Sequence, residues 1–141
     1  DVPGKPQEQA DRSGLSMQHD ISMATVAAAL MELRQPLAMY EADLHACVGQ
    51  RLSAAGLPFT HEAVIAKGCR IDFLVGSVGV EIKKGKPSAA TLAAQLQRYA
   101  ACDAVGGLIV ITERSVRLPP SILGKPVRCI PLSQLWGIAL P

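Results

Sequence analysis

Residues 70–83, with the sequence RIDFLVGSVGVEIK, bring two acidic side chains and a lysine close together. Two apolar runs are separated by a Gly-Ser dipeptide suited to a tight turn, and this pattern predicts a β-hairpin. In an antiparallel pair joined at that turn, Asp72 lies opposite Glu81 or the residue after it. Because side chains alternate along a strand, Glu81 and Lys83 project from the same side. Two carboxylates and a lysine are therefore expected at the open end of the hairpin.

A divalent metal site is one interpretation of these three side chains. Mg²⁺ prefers oxygen ligands, and it usually takes one or two protein carboxylates together with waters and phosphate oxygens. The other interpretation is a solvated strand end with a salt bridge, which is common and contributes little to stability. The helix predicted to follow favours the metal site, because it carries Gln95 and Tyr99 four residues apart on one face.

The combined pattern resembles the PD-(D/E)XK nuclease superfamily, particularly its RecB-like branch. The superfamily signature is an acid on one strand and acid-x-Lys on the next, and the RecB-like branch adds Q-x-x-x-Y on the following helix. The corresponding residues here are Asp72, Glu81-Ile82-Lys83 and Gln95-x-x-x-Tyr99. The resemblance extends approximately from residue 38 to residue 135, although Ile71 stands where the signature has proline. It implies an α/β fold with a restriction-endonuclease-like αβββαβ core, in which helices flank a mixed central sheet.

The activity that the resemblance implies is hydrolysis of DNA phosphodiester bonds with Mg²⁺ or Mn²⁺ as cofactor. A divalent metal can activate the water, neutralise the phosphate and assist the leaving oxygen. Asp72, Glu81 and the backbone carbonyl of Ile82 would hold the metal. Lys83 would orient or help deprotonate the attacking water, and Gln95 would hydrogen-bond a metal-bound water or the carboxylates.

A further acid is expected in this metal site, because many members of the superfamily carry a glutamate on the first core helix. Glu41 stands on the matching predicted helix, near its apolar stripe. Glu62, beside His61 on the first predicted strand, competes for the same role, and the sequence leaves the choice open. His61 is expected to be an ordinary surface or hydrogen-bonded residue, and His45 shows no partner pattern.

DNA is the partner that the resemblance implies, and four side chains are candidates for contacting it. Phosphate contacts supply most of the sequence-independent affinity of such proteins. The candidates are Tyr99, Lys84, Lys86 and Arg98. For the three cations, plain solubilising charges are the alternative. Relatives of this kind also suggest a homodimer, or association with an ATPase or helicase.

A different class of function is a nuclease-like module that binds DNA or protein without cleaving it, within a larger ATPase or defence protein. The presence of Asp72, Glu81 and Lys83 together argues against this class, since an inactive module does not need all three. An enzyme directed at RNA is a third alternative. The sequence does not distinguish endonuclease from exonuclease activity.

The rest of the chain is expected to form one domain over residues 21–141, after a polar linker or arm over residues 1–20. Helices are predicted over residues 22–34, 37–55, 88–103 and 132–138. Strands are predicted over residues 59–66, 70–75, 78–83, 108–112 and 127–131, with residues 117–125 as a loop. The continuously apolar run at 108–112 predicts a buried strand with parallel pairing.

Composition bounds these interpretations. The 141-residue chain is 49% hydrophobic but only 4% aromatic, and its net charge is +2. Any DNA affinity must therefore come from a local patch rather than from overall charge. Four well-separated cysteines predict neither a zinc site nor a disulfide framework. Without an apolar run of about 18 residues or a signal-peptide pattern, a cytoplasmic protein with no membrane segment is expected.

Overall fold

The computed structural model describes residues 21–34, 40–85 and 87–139. The predicted arm over residues 1–20 and Lys86 lie outside the described residues. In chain order the elements are α1 (Met23–Leu30), α2 (Glu41–Ala54), β1 (Thr60–Ala66), β2 (Cys69–Val75), β3 (Val78–Lys83), α3 (Ala89–Ala100), β4 (Gly107–Thr112), β5 (Ser121–Ile122), β6 (Lys125–Pro131) and α4 (Leu132–Ala139).

The described strands form one mixed sheet of six, in the order β1-β2-β3-β4-β6-β5. Strands β1, β2 and β3 form an antiparallel meander. Strand β4 then pairs in parallel with β3 on one side and with β6 on the other. All six residues of β4 are buried, as expected of a parallel strand covered on both faces. The predicted α/β class, with a mixed sheet and flanking helices, is confirmed.

Helices cover both faces of this sheet. On the face that we call the α2 face, α1, α2 and the first turn of α4 pack against strand residues that include Phe73, Val80 and Ile82. On the opposite face, which we call the α3 face, Leu92 and Leu96 of α3 are buried among residues of β2 and β4. Two apolar clusters therefore hold the sheet between layers of helix, and α2 and α3 approach β2 and β3 from opposite sides.

Serine caps define the starts of two helices. The Ser22 hydroxyl accepts a hydrogen bond from the Thr25 N–H at 3.1 Å, and the Ser88 hydroxyl accepts one from the Thr91 N–H at 3.4 Å. Such caps satisfy N–H groups that the first helical turn leaves without backbone partners. The Ser88 cap confirms the predicted start of α3. Helix α1 ends at Leu30, four residues earlier than predicted.

The predicted loop over residues 117–125 was only partly right. It contains the two-residue strand β5, which pairs with the start of β6 across a tight turn. Leu123 and Gly124 in that turn have φ angles of 52° and 75°. Two successive positive φ angles are typical of two-residue hairpin turns, which usually contain Asn or Gly at the first position. Leucine at that position conceals the turn from sequence analysis.

Two composition-based expectations concern membranes and thiols. Among the described residues, no helix combines the length and apolarity that crossing a membrane requires. The four cysteines all lie in the described part of the chain and form no disulfide, and each is half-buried.

Candidate active site

The predicted meeting of Asp72 and Glu81 is confirmed at the open end of the β2–β3 hairpin. Backbone pairing between these strands runs from Val75–Val78 to Phe73–Val80. Beyond that point, the backbone N–H groups of the hairpin donate to side-chain carboxylate oxygens instead of backbone carbonyls. The Asp72 N–H donates to Glu81 Oε1 at 3.2 Å, and the Ile82 N–H donates to Asp72 Oδ2 at 2.8 Å. These reciprocal bonds hold the two carboxylates next to each other.

Strand β2 changes face at Asp72, opposite an irregular residue of β1. Residues two apart in a regular strand share a face, yet Ile71 belongs to the α3-face cluster and Phe73 to the α2-face cluster. The faces of β2 therefore switch at Asp72. In β1, Glu62 lies between His61, paired with Phe73, and Ala63, paired with Ile71, and has a φ of 51°. Such irregularities commonly lie beside functional sites, and this one lies opposite Asp72.

Glu81 is a buried carboxylate with several donors around one oxygen. It is 4% exposed. Its Oε2 lies 3.3 Å from Lys83 Nζ, and it accepts hydrogen bonds of 3.2 Å from both Gln95 Nε2 and the Tyr99 hydroxyl. The Lys83 contact confirms that these two side chains project from the same side of β3. Lys83, Gln95 and Tyr99 thus all contact Glu81 through Oε2.

The pKa of Glu81 is raised above its ordinary value of 4.5. Burial is the largest cause, and the adjacent Asp72 carboxylate raises the pKa further by like-charge repulsion. The Asp72 N–H and the Lys83 ammonium act in the opposite direction, although they do not cancel the increase. Two acids in one partly buried site therefore carry an electrostatic cost, which a bound cation would offset.

Tyr99 has a different position from the one predicted. It is 3% exposed, and its hydroxyl bonds Glu81 and the carbonyl oxygen of Arg70 at 3.1 Å, while Gln95 Nε2 donates to it at 2.8 Å. Burial and the neighbouring Glu81 charge raise the pKa of Tyr99, so the hydroxyl remains protonated. The surrounding core encloses the Tyr99 side chain and so gives no support to the predicted phosphate contact, which stays a prediction. Tyr99 instead holds Glu81 in place.

His45 is the site residue that sequence analysis missed. Its Nε2 lies 3.8 Å from Asp72 Oδ2, and its Nδ1 lies 2.9 Å from His61 Nε2. Helix α2 brings His45 over the α2 face, where its neighbours Leu44 and Val48 are buried. The available signal was the helical spacing: His45 is four residues after Glu41, so both lie on the side of α2 predicted to approach the metal site.

Neither candidate for the additional acid forms a three-ligand group with the carboxylate pair among the described residues. Glu41 begins α2 and is exposed. Glu62 is also exposed, and its Oε1 lies 3.7 Å from Nη1 of Arg70. The α2 side chain that lies beside Asp72 is His45, one helical turn after Glu41. The proposed metal role of Glu41 stays a prediction.

We expect Glu62→Gly to keep or raise stability, because glycine adopts a positive φ without the cost of about 1–2 kcal/mol that other residues carry there. The exposed Arg70 pair contributes little. Chemical denaturation would measure the change, with Val64→Gly as a control. Val64 is an exposed residue of the same strand without a positive φ, so its replacement should destabilise the protein. Equal losses in both variants would contradict a strained Glu62.

Two of the cationic side chains predicted to contact DNA, Lys84 and Arg98, lie on different elements of the domain. Lys84 Nζ lies 3.9 Å from Glu113 Oε1, and Arg98 is exposed on α3. A groove of about 560 Å³ runs beside the acids, lined by Lys83, Ala90, Thr91, Ala94, Gln95 and Arg98. A larger groove of about 890 Å³ at the start of α3 is lined by Gly85, Pro87, Ser88, Ala89, Glu113, Arg114, Ser115 and Val116. Neither Asp72 nor Glu81 lines either groove, but the smaller one is lined by Lys83 and Gln95, which contact Glu81. The smaller groove is the one adjoining the candidate chemistry.

The donor set fits a metal that takes few protein ligands. Within residues 21–34, 40–85 and 87–139, no three His, Cys, Asp or Glu side chains are grouped so as to form a metal cage. Structural zinc requires four such ligands. Mg²⁺ retains several waters and uses one or two carboxylates, which Asp72 and Glu81 provide. Ile82 follows Glu81 in β3. The role of its backbone carbonyl as a metal ligand stays a prediction.

Comparisons with protein-family models, with curated protein sequences and with solved structures gave no match. The fold and the site together define a mixed α/β domain that carries two acids and a lysine at the open end of a β-hairpin.

Stability in EDTA should depend on pH through Glu81. Because its pKa is raised by folding, the native state binds this proton more tightly than the unfolded chain does. The resulting stabilisation is fully present below pH 4.5 and is lost as pH rises through the raised pKa. Urea denaturation of wild type and Glu81→Gln from about pH 4 to about pH 8 would isolate this contribution. Wild-type stability that rises relative to the variant with pH would contradict the assignment.

Proposed function

We propose that the protein is a metal-dependent nuclease of the PD-(D/E)XK type, acting on DNA phosphodiester bonds. The observation that carries the proposal is the adjacency of Asp72 and Glu81 across the hairpin end, with Lys83 Nζ 3.3 Å from Glu81. The α-β-β-β-α-β order from α2 to β4 is compatible with the core of that superfamily.

The electrostatics of the carboxylate pair support a cation at this position. Asp72 is partly exposed, whereas Glu81 is buried, and their repulsion contributes to the raised pKa of Glu81. A residue pair kept for stability would not combine burial with like charges. Asp72 and Glu81 would hold Mg²⁺ or Mn²⁺. His45, whose Nε2 faces Asp72 at 3.8 Å, forms no ready three-ligand group with them among the described residues, so it would have to move toward the ion to become a third ligand. Such an ion supplies a Lewis acid and lowers the pKa of bound water.

The chain's own groups have distinct tasks in this proposal. The Lys83 ammonium is partly exposed, with its side chain at 28%, so it can orient a water molecule and offset charge on a phosphate. Gln95 and Tyr99 bind Glu81 Oε2 and hold that carboxylate in one orientation. Supporting hydrogen bonds of this kind position the groups that act directly. Tyr99 therefore acts through Glu81 and does not touch the substrate.

The groove of about 560 Å³ gives the substrate a place beside Lys83. Small side chains, Ala90 and Ala94, line it, while Lys83 and Arg98 contribute positive charge. Cationic side chains along a groove can follow a nucleic-acid backbone without reading its sequence. We assign Arg98 to phosphate binding on this ground. Lys84 keeps the same assignment as a weaker candidate, since it is close to Glu113.

The test is a cleavage assay with linear duplex, single-stranded, circular and four-way-junction DNA, together with RNA of matched sequence. Reactions would contain Mg²⁺, Mn²⁺ or EDTA. We expect metal-dependent cleavage by the wild-type protein and none by Asp72→Asn. Cleavage that persists in EDTA or in that variant would overturn the proposal. Metal-independent nucleic-acid binding without cleavage of any substrate would assign the fold to a binding module instead.

A further inference from the structure

The two histidines at the site form a connected pair beside Asp72. His45 Nδ1 and His61 Nε2 are 2.9 Å apart, which is hydrogen-bond distance. The other ring nitrogen of His45, Nε2, is 3.8 Å from Asp72 Oδ2, too far for a hydrogen bond. His45 therefore lies between His61, within hydrogen-bond distance, and the Asp72 carboxylate, which it faces without a hydrogen bond.

The short contact restricts where the protons of the two rings can lie. A neutral imidazole has one N–H donor and one acceptor nitrogen. If His45 Nδ1–H donates to His61 Nε2, then His45 Nε2 carries a lone pair toward Asp72. If the bond runs the other way, His45 Nε2 carries a proton that would be expected to close on the carboxylate. At 3.8 Å no Nε2–H donation to Asp72 is formed, and the contact would be an ion pair only if His45 carried a proton on both nitrogens.

Packing fixes the ring that accepts this hydrogen bond. His61 stacks on Phe73 with ring centroids 4.6 Å apart and an interplanar angle of 26°. The two residues are also direct partners across β1 and β2. Phe73 is held in turn by an edge contact with Phe59, with centroids 5.5 Å apart. His61 is solvent-exposed at its outer side, but its stacked ring keeps Nε2 aimed at His45.

We propose that His61 is a positioning residue, which accepts the His45 Nδ1–H and thereby presents the unprotonated His45 Nε2 toward Asp72. This inference rests on the proposed function, because the presented lone pair matters for a cation held by the acids. Metal-binding histidines generally donate their other N–H to a partner that sets ring orientation and tautomer. His61 performs that role from a neighbouring strand, although nothing in its local sequence distinguishes it.

Two substitutions separate the hydrogen-bonding role from the packing role. His61→Phe keeps a ring to stack on Phe73 and removes the acceptor nitrogen. His61→Gln removes the ring and keeps an acceptor near the position of Nε2. A purely structural His61 would tolerate Phe better than Gln. A positioning His61 would tolerate Gln better than Phe, because only Gln can accept the His45 proton.

The first measurement is the tautomer of His45, read from ¹⁵N chemical shifts at about pH 8 in EDTA, where imidazole is neutral. We expect the Nδ1–H tautomer in wild type and in His61→Gln, and the Nε2–H tautomer in His61→Phe. The second is Mg²⁺ and Mn²⁺ affinity by calorimetry without DNA. There we expect a loss of about tenfold or more in His61→Phe, the usual size of such effects, and a smaller loss in His61→Gln.

The same His45 tautomer in wild type and His61→Phe would overturn the inference, as would equal affinities in two proteins that both bind metal. Failure of the proposed function has a different signature, since wild type would then bind neither metal and cleave nothing. The tautomer measurement requires neither metal nor DNA. It therefore gives a result about His61 even when the nuclease proposal fails.

Discussion

The Lys83→Ala variant is expected to lose about 10² to 10⁴-fold in the rate of DNA cleavage, the range typical of removing a group that assists proton transfer. The side chain lies 3.3 Å from Glu81 Oε2 and lines the groove proposed for the substrate. Without its ammonium group, the attacking water loses orientation and the phosphate loses a neutralising charge. Single-turnover kinetics with saturating Mg²⁺ would measure the loss in the chemical step.

Lys67→Ala is the matched control for this experiment. Lys67 is exposed in the turn between β1 and β2, so its replacement removes the same charge elsewhere on the domain. We expect its single-turnover rate to stay close to that of wild type. Circular dichroism and thermal denaturation would establish that both variants fold. Equal rates for Lys83→Ala and wild type would contradict the role of Lys83, whereas equal losses in both variants would indicate an effect of net charge alone.

Asp72→Asn is expected to make the metal-free protein more stable while abolishing its stabilisation by metal. An asparagine oxygen can keep accepting the hydrogen bond that the Ile82 N–H donates at 2.8 Å. The substitution also removes the like charge that raises the pKa of Glu81. We expect a gain of about 1 kcal/mol in the free energy of unfolding in EDTA, within the usual size of stabilising substitutions. Replacing a residue that only makes hydrogen bonds normally lowers the free energy of unfolding.

Adding metal should reverse the order of the two proteins. Wild type should gain about 2.7 kcal/mol when Mg²⁺ is present at a hundred times its dissociation constant, by mass action. Asp72→Asn should gain almost nothing, because one of the two carboxylates is lost. Urea denaturation in EDTA and in Mg²⁺ would measure both effects. A destabilised Asp72→Asn with unchanged metal stabilisation would show that Asp72 is a structural residue rather than a ligand.

Asp43→Asn provides the comparison for the change of Asp to Asn. Asp43 lies in the first turn of α2 and is exposed. A negative charge there interacts favourably with the helix dipole, so its loss should cost about 0.3–1 kcal/mol. That cost should be the same in EDTA and in Mg²⁺. The two aspartates would then differ in both the sign of the stability change and its dependence on metal.

The acidic hairpin end was predictable because its geometry is local. Gly76 has a φ of 61° in a two-residue turn, and Val75 pairs with Val78 as a tight turn requires. Once that register is set, strand alternation decides which residues share a face. Asp72 therefore meets Glu81, only nine positions away in the chain. The helical period places Gln95 and Tyr99 on one face of α3 by the same kind of local rule.

The neighbours of these residues depended on contacts between elements distant in the chain. Packing of α2 on the sheet brings His45 to Asp72 and His61, and helix spacing alone does not specify which strand residue a helix meets. The full burial of Tyr99 follows from α3 docking against β2 and β4. Because of these contacts, the Tyr99 hydroxyl bonds Glu81 instead of facing the substrate groove.

The sequence by itself determined the mixed α/β class, the hairpin register and the acid-acid-lysine cluster, because each follows from turn chemistry and from side-chain periods of two or 3.6 residues. Only the tertiary structure decided that β2 switches faces at Asp72, that Glu62 pairs with Arg70 and that His45 faces the acids. A strand irregularity interrupts the period on which sequence analysis depends, and helix docking is set by the fit of two whole surfaces.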